Sequence, residues 1–215
     1  MFSALRPVQD HHWVISIVLL ILIFLVVVKW NKTNYIILFF NSLFSFTFYS
    51  GKFSEKRKID LPEVLLFISS ILGVSFFIFV IFNQEAFSIL FYLQILFLVT
   101  IILLSKYFIE KIIGELFELN ELIGRYLFYK QGILSWLGLF FLFPLGLLLY
   151  FQNIENSTLT LISIGISVLV YVFKLFSFVG LYQRNILAYW FYFILYLCAF
   201  EIAPYLIIFK VIKIN

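Results

Sequence analysis

Charge is scarce in this chain. Only 12% of its 215 residues are Asp, Glu, Lys or Arg, while 64% are hydrophobic and the mean hydropathy is +1.11. Soluble domains carry about 25% charged residues, so an ordinary water-soluble globule is excluded. Histidine is confined to His11 and His12, neighbours that point to different sides of a helix and make a poor metal pair. No histidine falls in an apolar run, which argues against a bis-histidine haem in the membrane. Asp10 and Asp60 are the only aspartates, so paired-aspartate proteolysis and aspartate-rich lipid-transfer motifs are unavailable. The one cysteine, Cys198, has no intrachain partner, which excludes a disulfide framework. There is no HExxH, no GxSxG and no Walker loop. Neither an enzyme nor a bound metal or cofactor is therefore expected.

What is present is a set of long apolar runs. Six are long enough to be read as bilayer spans: Trp13–Val28, Val64–Phe82, Phe87–Phe108, Ile133–Phe151, Thr158–Phe178 and Leu187–Phe209. Pro62 precedes the second, where a helix start tolerates proline. Polar turns at 83–85 and 152–157 make tight hairpins of spans two and three and of spans four and five. The expected fold is an all-α integral membrane bundle, a single domain over 1–215 with six transmembrane helices plus interfacial helices. The N-terminal segment lacks both a clear basic region and an A-x-A-like site, so the first run reads as a retained helix.

Charge placement orients this layout. With six spans, one face holds Lys29, Lys32, Lys52, Lys56, Arg57, Lys58, Lys106, Lys111, Arg125, Lys130, Lys174 and Arg184, twelve of the fifteen basic residues. The positive-inside bias makes that face cytoplasmic and puts the C-terminus on the periplasmic side of a bacterial inner membrane. Basic residues that flank apolar runs set topology and do not pattern a nucleic-acid groove. Lys52, Lys56, Arg57 and Lys58 are also placed to contact anionic lipid headgroups.

Two further segments read as helices lying in the interface. In Asn34–Tyr49, Asn34, Asn41, Ser42 and Ser45 fall on one side and Phe, Ile and Leu on the other. If that segment spans instead, there are seven helices and the N-terminus changes sides. Between spans three and four, Ile112, Leu116, Leu119, Ile123 and Tyr126 form an apolar stripe. Lys111, Glu115, Glu118, Glu121 and Arg125 form the opposite stripe, a face suited to a solvated role or to docking a basic partner.

The last run carries the candidate chemistry. Glu201 lies 14 residues in, or ~21 Å from the cytoplasmic end. A carboxylate there costs on the order of 3 kcal/mol on insertion scales. Pro204 leaves the Phe200 carbonyl without its helical partner. Cys198 and Tyr205 share the Glu201 face, and Gln94 in the third span lies at a similar depth and is a candidate partner. Glu201 reads either as a proton or cation site or as a neutral carboxyl hydrogen-bonded to a neighbouring helix. Pro144, with Gly138 and Gly146, marks a second helix interruption.

The string Leu195–Pro204 (LYLCAFEIAP), preceded by Tyr182, Gln183, Arg184 and Asn185, resembles the C-terminal end of a Bacteroidetes membrane family, domain of unknown function 4271. The resemblance implies an inner-membrane location and no established activity. It makes Cys198, Glu201 and Pro204 look like a motif.

Short outer turns, few buried polar groups and helix faces suited to contact lead to an accessory or scaffold subunit working with other membrane proteins. The alternative is a small transporter or ion-conducting component using Glu201.

Overall fold

The structure, a computed structural model, describes residues 12–32, 34–42, 60–82, 89–116, 120–152 and 157–181. They form helices α1 (His12–Asn31), α2 (Tyr35–Asn41), α3 (Leu61–Phe82), α4 (Ile89–Leu116) and α5 (Asn120–Trp136). A π-helical turn (Leu137–Leu142), α6 (Phe143–Gln152) and α7 (Ser157–Leu181) complete them. Among the described residues, five stretches are long and apolar enough to cross a membrane: α1, α3, α4, Ile123–Phe151 and Thr158–Ser177. They correspond to the first five expected spans; Leu187–Phe209 lies outside the described residues. The chain is an all-α membrane protein.

Two helices run further than hydropathy implies. α4 continues from Phe108 to Leu116, and the fourth span is entered from Asn120 through α5 rather than at Ile133. Lys and Glu are good helix formers, so Lys106, Glu110 and Lys111 end the apolar run without ending the helix. At 28 residues α4 is ~42 Å long, against a hydrocarbon core of about 30 Å.

The chain divides into two compact units, one drawn from Met1–Ile102 and Gln131–Ile164, the other from Leu103–Lys130 and Gly165–Asn215. In the first unit α3 is the central helix, packed against α1, the π-helical turn and α6. Its buried side chains occupy most of its circumference, from Leu66 through Phe79. α1 contributes only a narrow seam, Val14, Ile21 and Val28 at seven-residue steps. Most of the remaining Ile, Leu and Val side chains of α1 are exposed, as suits a helix against lipid.

Small residues set the spacing between α3 and the π-helical turn. A Cβ built on Gly73 would lie 2.8 Å from the Gly138 carbonyl oxygen, closer than real Cβ atoms approach. Ser70 Oγ lies 3.4 Å from Ser135 Oγ and donates to the Phe67 carbonyl at 2.7 Å, while Ser69 Oγ donates to Leu65 at 2.8 Å. Back-bonding satisfies these hydroxyls where water is absent. Beyond them Trp13, Phe76, Phe79, Tyr92 and Tyr150 form an aromatic cluster of edge-to-face and tilted pairs, with Trp13 and Phe79 edge to face at 5.2 Å.

Pro144 was expected to interrupt its helix, and the interruption takes the form of the π-helical turn just before it. The Phe143 N–H donates to the Gly138 carbonyl, five residues back, and Pro144 has no N–H to offer Phe140.

The second unit contains an antiparallel pair, Leu103–Leu116 of α4 against Asn120–Lys130 of α5. Ile123 and Leu127 are buried with Tyr107 packed on them, and a Cβ on Gly114 would lie 3.2 Å from Ile123 Cγ2. The single surface helix expected over 111–126 is thus corrected: one helix ends at Leu116 and another starts at Asn120. Ile123 and Tyr126 are buried while Ile112 and Leu116 are exposed, so the expected stripe is divided between two helices.

Candidate functional site

Of the residues singled out in the last run, Glu201, Cys198, Pro204 and Tyr205 lie outside the described residues, as do Lys52, Lys56, Arg57, Lys58 and Glu118. Gln94 is on an exposed side of α4, and Pro144 is exposed at the start of α6. Glu115 is exposed in the last turn of α4, whereas Glu121 and Arg125 belong to α5. The acidic stripe therefore draws on two helices.

The structure brings together a pair that sequence reasoning missed. Glu110 and Lys130 are the two buried charged residues among those described, at 1% and 4% exposure. The Lys130 ammonium donates to Glu110 Oε1, and Nζ also stands 5.5 Å from the centre of the Tyr126 ring. The sequence reads Lys130 as a cytoplasmic topology signal; the structure makes it a buried partner as well. The signal that could have found it is helix propensity, since Glu110 and Lys130 both lie in charged flanks of apolar runs that favour helix.

Taking two charges out of water costs several kcal/mol per ion, and their attraction offsets this only when both are held in contact. The Tyr126 face adds an electrostatic site for the ammonium. The pair can therefore hold helix to helix, and each member depends on the other.

A second polar cluster closes one end of the first unit. Lys32 Nζ donates to Asp60 Oδ2 at 2.7 Å, joining the end of α1 to the start of α3. Both side chains are substantially exposed, so this bridge contributes little by itself. Tyr35, on α2, is buried beside it. Burial pushes its phenol pKa far above the ordinary value of 10.0, and the charges of Glu63 and Asp60 and a hydrogen bond with Glu63 push the same way. The Trp136 indole N–H donates to the Phe40 carbonyl at 2.9 Å, and Phe40 and Phe140 meet edge to face at 5.2 Å. α2 is thereby tied to α3 and to the π-helical turn. Its expected polar side is only partly outward: Asn34 and Asn41 are exposed, but Ser42 is buried and donates to the Phe39 carbonyl at 2.6 Å. α2 ends at Asn41, and residues 43–49 of the expected interfacial segment lie outside the described residues.

The family model described as a domain of unknown function (DUF4271) matches residues 14–212. The chain belongs to this family. DUF4271 membership thus extends from the first turn of α1, through both polar clusters, to beyond the Leu195–Pro204 string that first suggested it. No curated protein and no solved structure matches the chain.

Proposed function

We propose that this DUF4271 protein is a non-enzymatic accessory or scaffold subunit of a membrane-embedded assembly. It sits in the bacterial inner membrane with its basic loops cytoplasmic and its C-terminus periplasmic. The observation that carries the reading is the Glu110–Lys130 pair. The two buried charges among the described residues are engaged with each other, helix to helix, in a mutual contact that serves packing. The exposed apolar faces of α1, α4 and α7 support the same reading, because they offer lipid or a neighbouring helix extensive contact.

The test is capture of the tagged protein from native membranes in mild detergent, with quantitative mass spectrometry. A reproducible, near-stoichiometric membrane partner is expected. Recovery of the well-folded protein alone contradicts the reading. Flux measured in proteoliposomes with Glu201→Gln as control completes the test: a Glu201-dependent ion flux would transfer the assignment to a conducting component.

A further inference from the structure

Two adjacent helices need a contact that fixes how far one slides along the other. In the α4–α5 pair of the second unit the apolar contact is small, Ile123 and Leu127 with Tyr107 packed on them. A shift of one turn, about 5.4 Å, would put Leu103 or Lys111 where Tyr107 stands.

The charges do discriminate. In the observed register Glu110 meets Lys130 and Gly114 meets Ile123, two rungs of one antiparallel ladder. A one-turn slip in one direction brings Lys130 opposite Lys106, setting two ammonium groups together. A slip in the other direction brings it opposite Gly114, which has no side chain to offer. Either way Glu110 loses its cation while still inside the hairpin. We infer that the Glu110–Lys130 pair is a register lock, selecting one pairing of α4 with α5 and excluding the one-turn alternatives. This goes beyond the proposed subunit role and does not depend on it. Buried polar pairs that specify register at some cost in stability are the best-attested use of such groups.

The lock is separable from stability, because well-packed apolar replacements of a buried ion pair are commonly neutral or stabilising. The test uses the full chain carrying Cys198→Ser and three alternative cysteine pairs. Tyr107→Cys with Leu127→Cys reports the observed register. Leu103→Cys with Leu127→Cys and Lys111→Cys with Leu127→Cys report the two slipped ones. Disulfide yield in membranes is read by peptide mass spectrometry. With Glu110 and Lys130 intact, the native cross-link should exceed either slipped one by at least about tenfold, the scale of one well-made polar pair. In Glu110→Leu/Lys130→Met the preference should fall to about threefold or less. The charge swap Glu110→Lys/Lys130→Glu, which keeps both charges and needs no apolar repacking, should recover the native preference. Retention of a single register by Glu110→Leu/Lys130→Met overturns the inference, and so does a charge swap that folds without regaining it. Should the apolar variant not accumulate, the swap decides the question alone.

Discussion

Gly73 and Gly138 meet backbone to backbone. A Cβ on Gly73 would stand 2.8 Å from the Gly138 carbonyl oxygen and 2.9 Å from Phe143 Cβ. Neither obstacle is the flexible end of a side chain, so one helix must move to admit even a methyl group. Close approach through small residues is how membrane helices gain packing energy when burial from water offers none.

Gly73→Ala is therefore expected to destabilise the protein by about 1–3 kcal/mol, the cost of overpacking a well-filled contact. Gly165→Ala is the internal control, because nothing lies within 4 Å of a Cβ there. That variant should be neutral or raise stability by up to about 1 kcal/mol through helix propensity. Thermal unfolding in detergent compares the two; equal effects would mean that the α3 contact is looser than described.

Lys130→Met leaves Glu110 buried without its cation, and a loss of about 3–5 kcal/mol is expected. Lys111→Met, one residue beyond Glu110 on an exposed side of the same helix, should cost no more than about 0.5 kcal/mol. Denaturant titration of the two variants, alongside wild type, reads the difference.

Ser75 is fully buried on α3, and its hydroxyl has no hydrogen-bond partner among the described residues. An unpaired buried hydroxyl costs about 1–3 kcal/mol. Ser75→Ala is expected to raise the unfolding temperature, whereas Ser69→Ala, which removes a satisfied hydroxyl, should not. A fall in stability for Ser75→Ala would reveal a partner for that hydroxyl.

Tyr35 gives the pH dependence. Its pKa is raised in the folded chain above the ordinary 10.0, by burial first and by Glu63 and Asp60 next. Below that ordinary value the phenol is neutral in both states and its contribution is fully present. Above it the unfolded chain releases the proton while the folded chain keeps it, so stability falls as pH rises, by up to about 1.4 kcal/mol per pH unit. Tyr35→Phe should flatten this alkaline slope, with a pH-independent loss of about 1–3 kcal/mol near neutral pH from the hydrogen bond to Glu63. An identical slope in the variant would contradict the assignment.

The parts of the fold that were legible are those where hydropathy and helix coincide. α1 and α3 lie within three residues of their expected ends, because apolar runs and helices stop together there. α4 and α5 were harder to read. Lys106, Glu110 and Lys111 interrupt hydropathy but favour helix, so the flanks of the third connection looked like a surface segment. The Glu110–Lys130 contact was hidden for the same reason, since a loop has no helical register that would set one residue against the other. Pro144 and Gly138 did announce an interruption. Whether it would be a kink or a π-helical turn depended on α3 packing against Gly138, which no local pattern records.

The measurement that bears most directly on the account is native mass spectrometry of the protein released from its own membranes. A subunit of an assembly should appear in a particle heavier than its own 25.5 kDa that contains at least one different chain in fixed ratio. A particle of 25.5 kDa, or one made only of copies of this chain, would contradict the account.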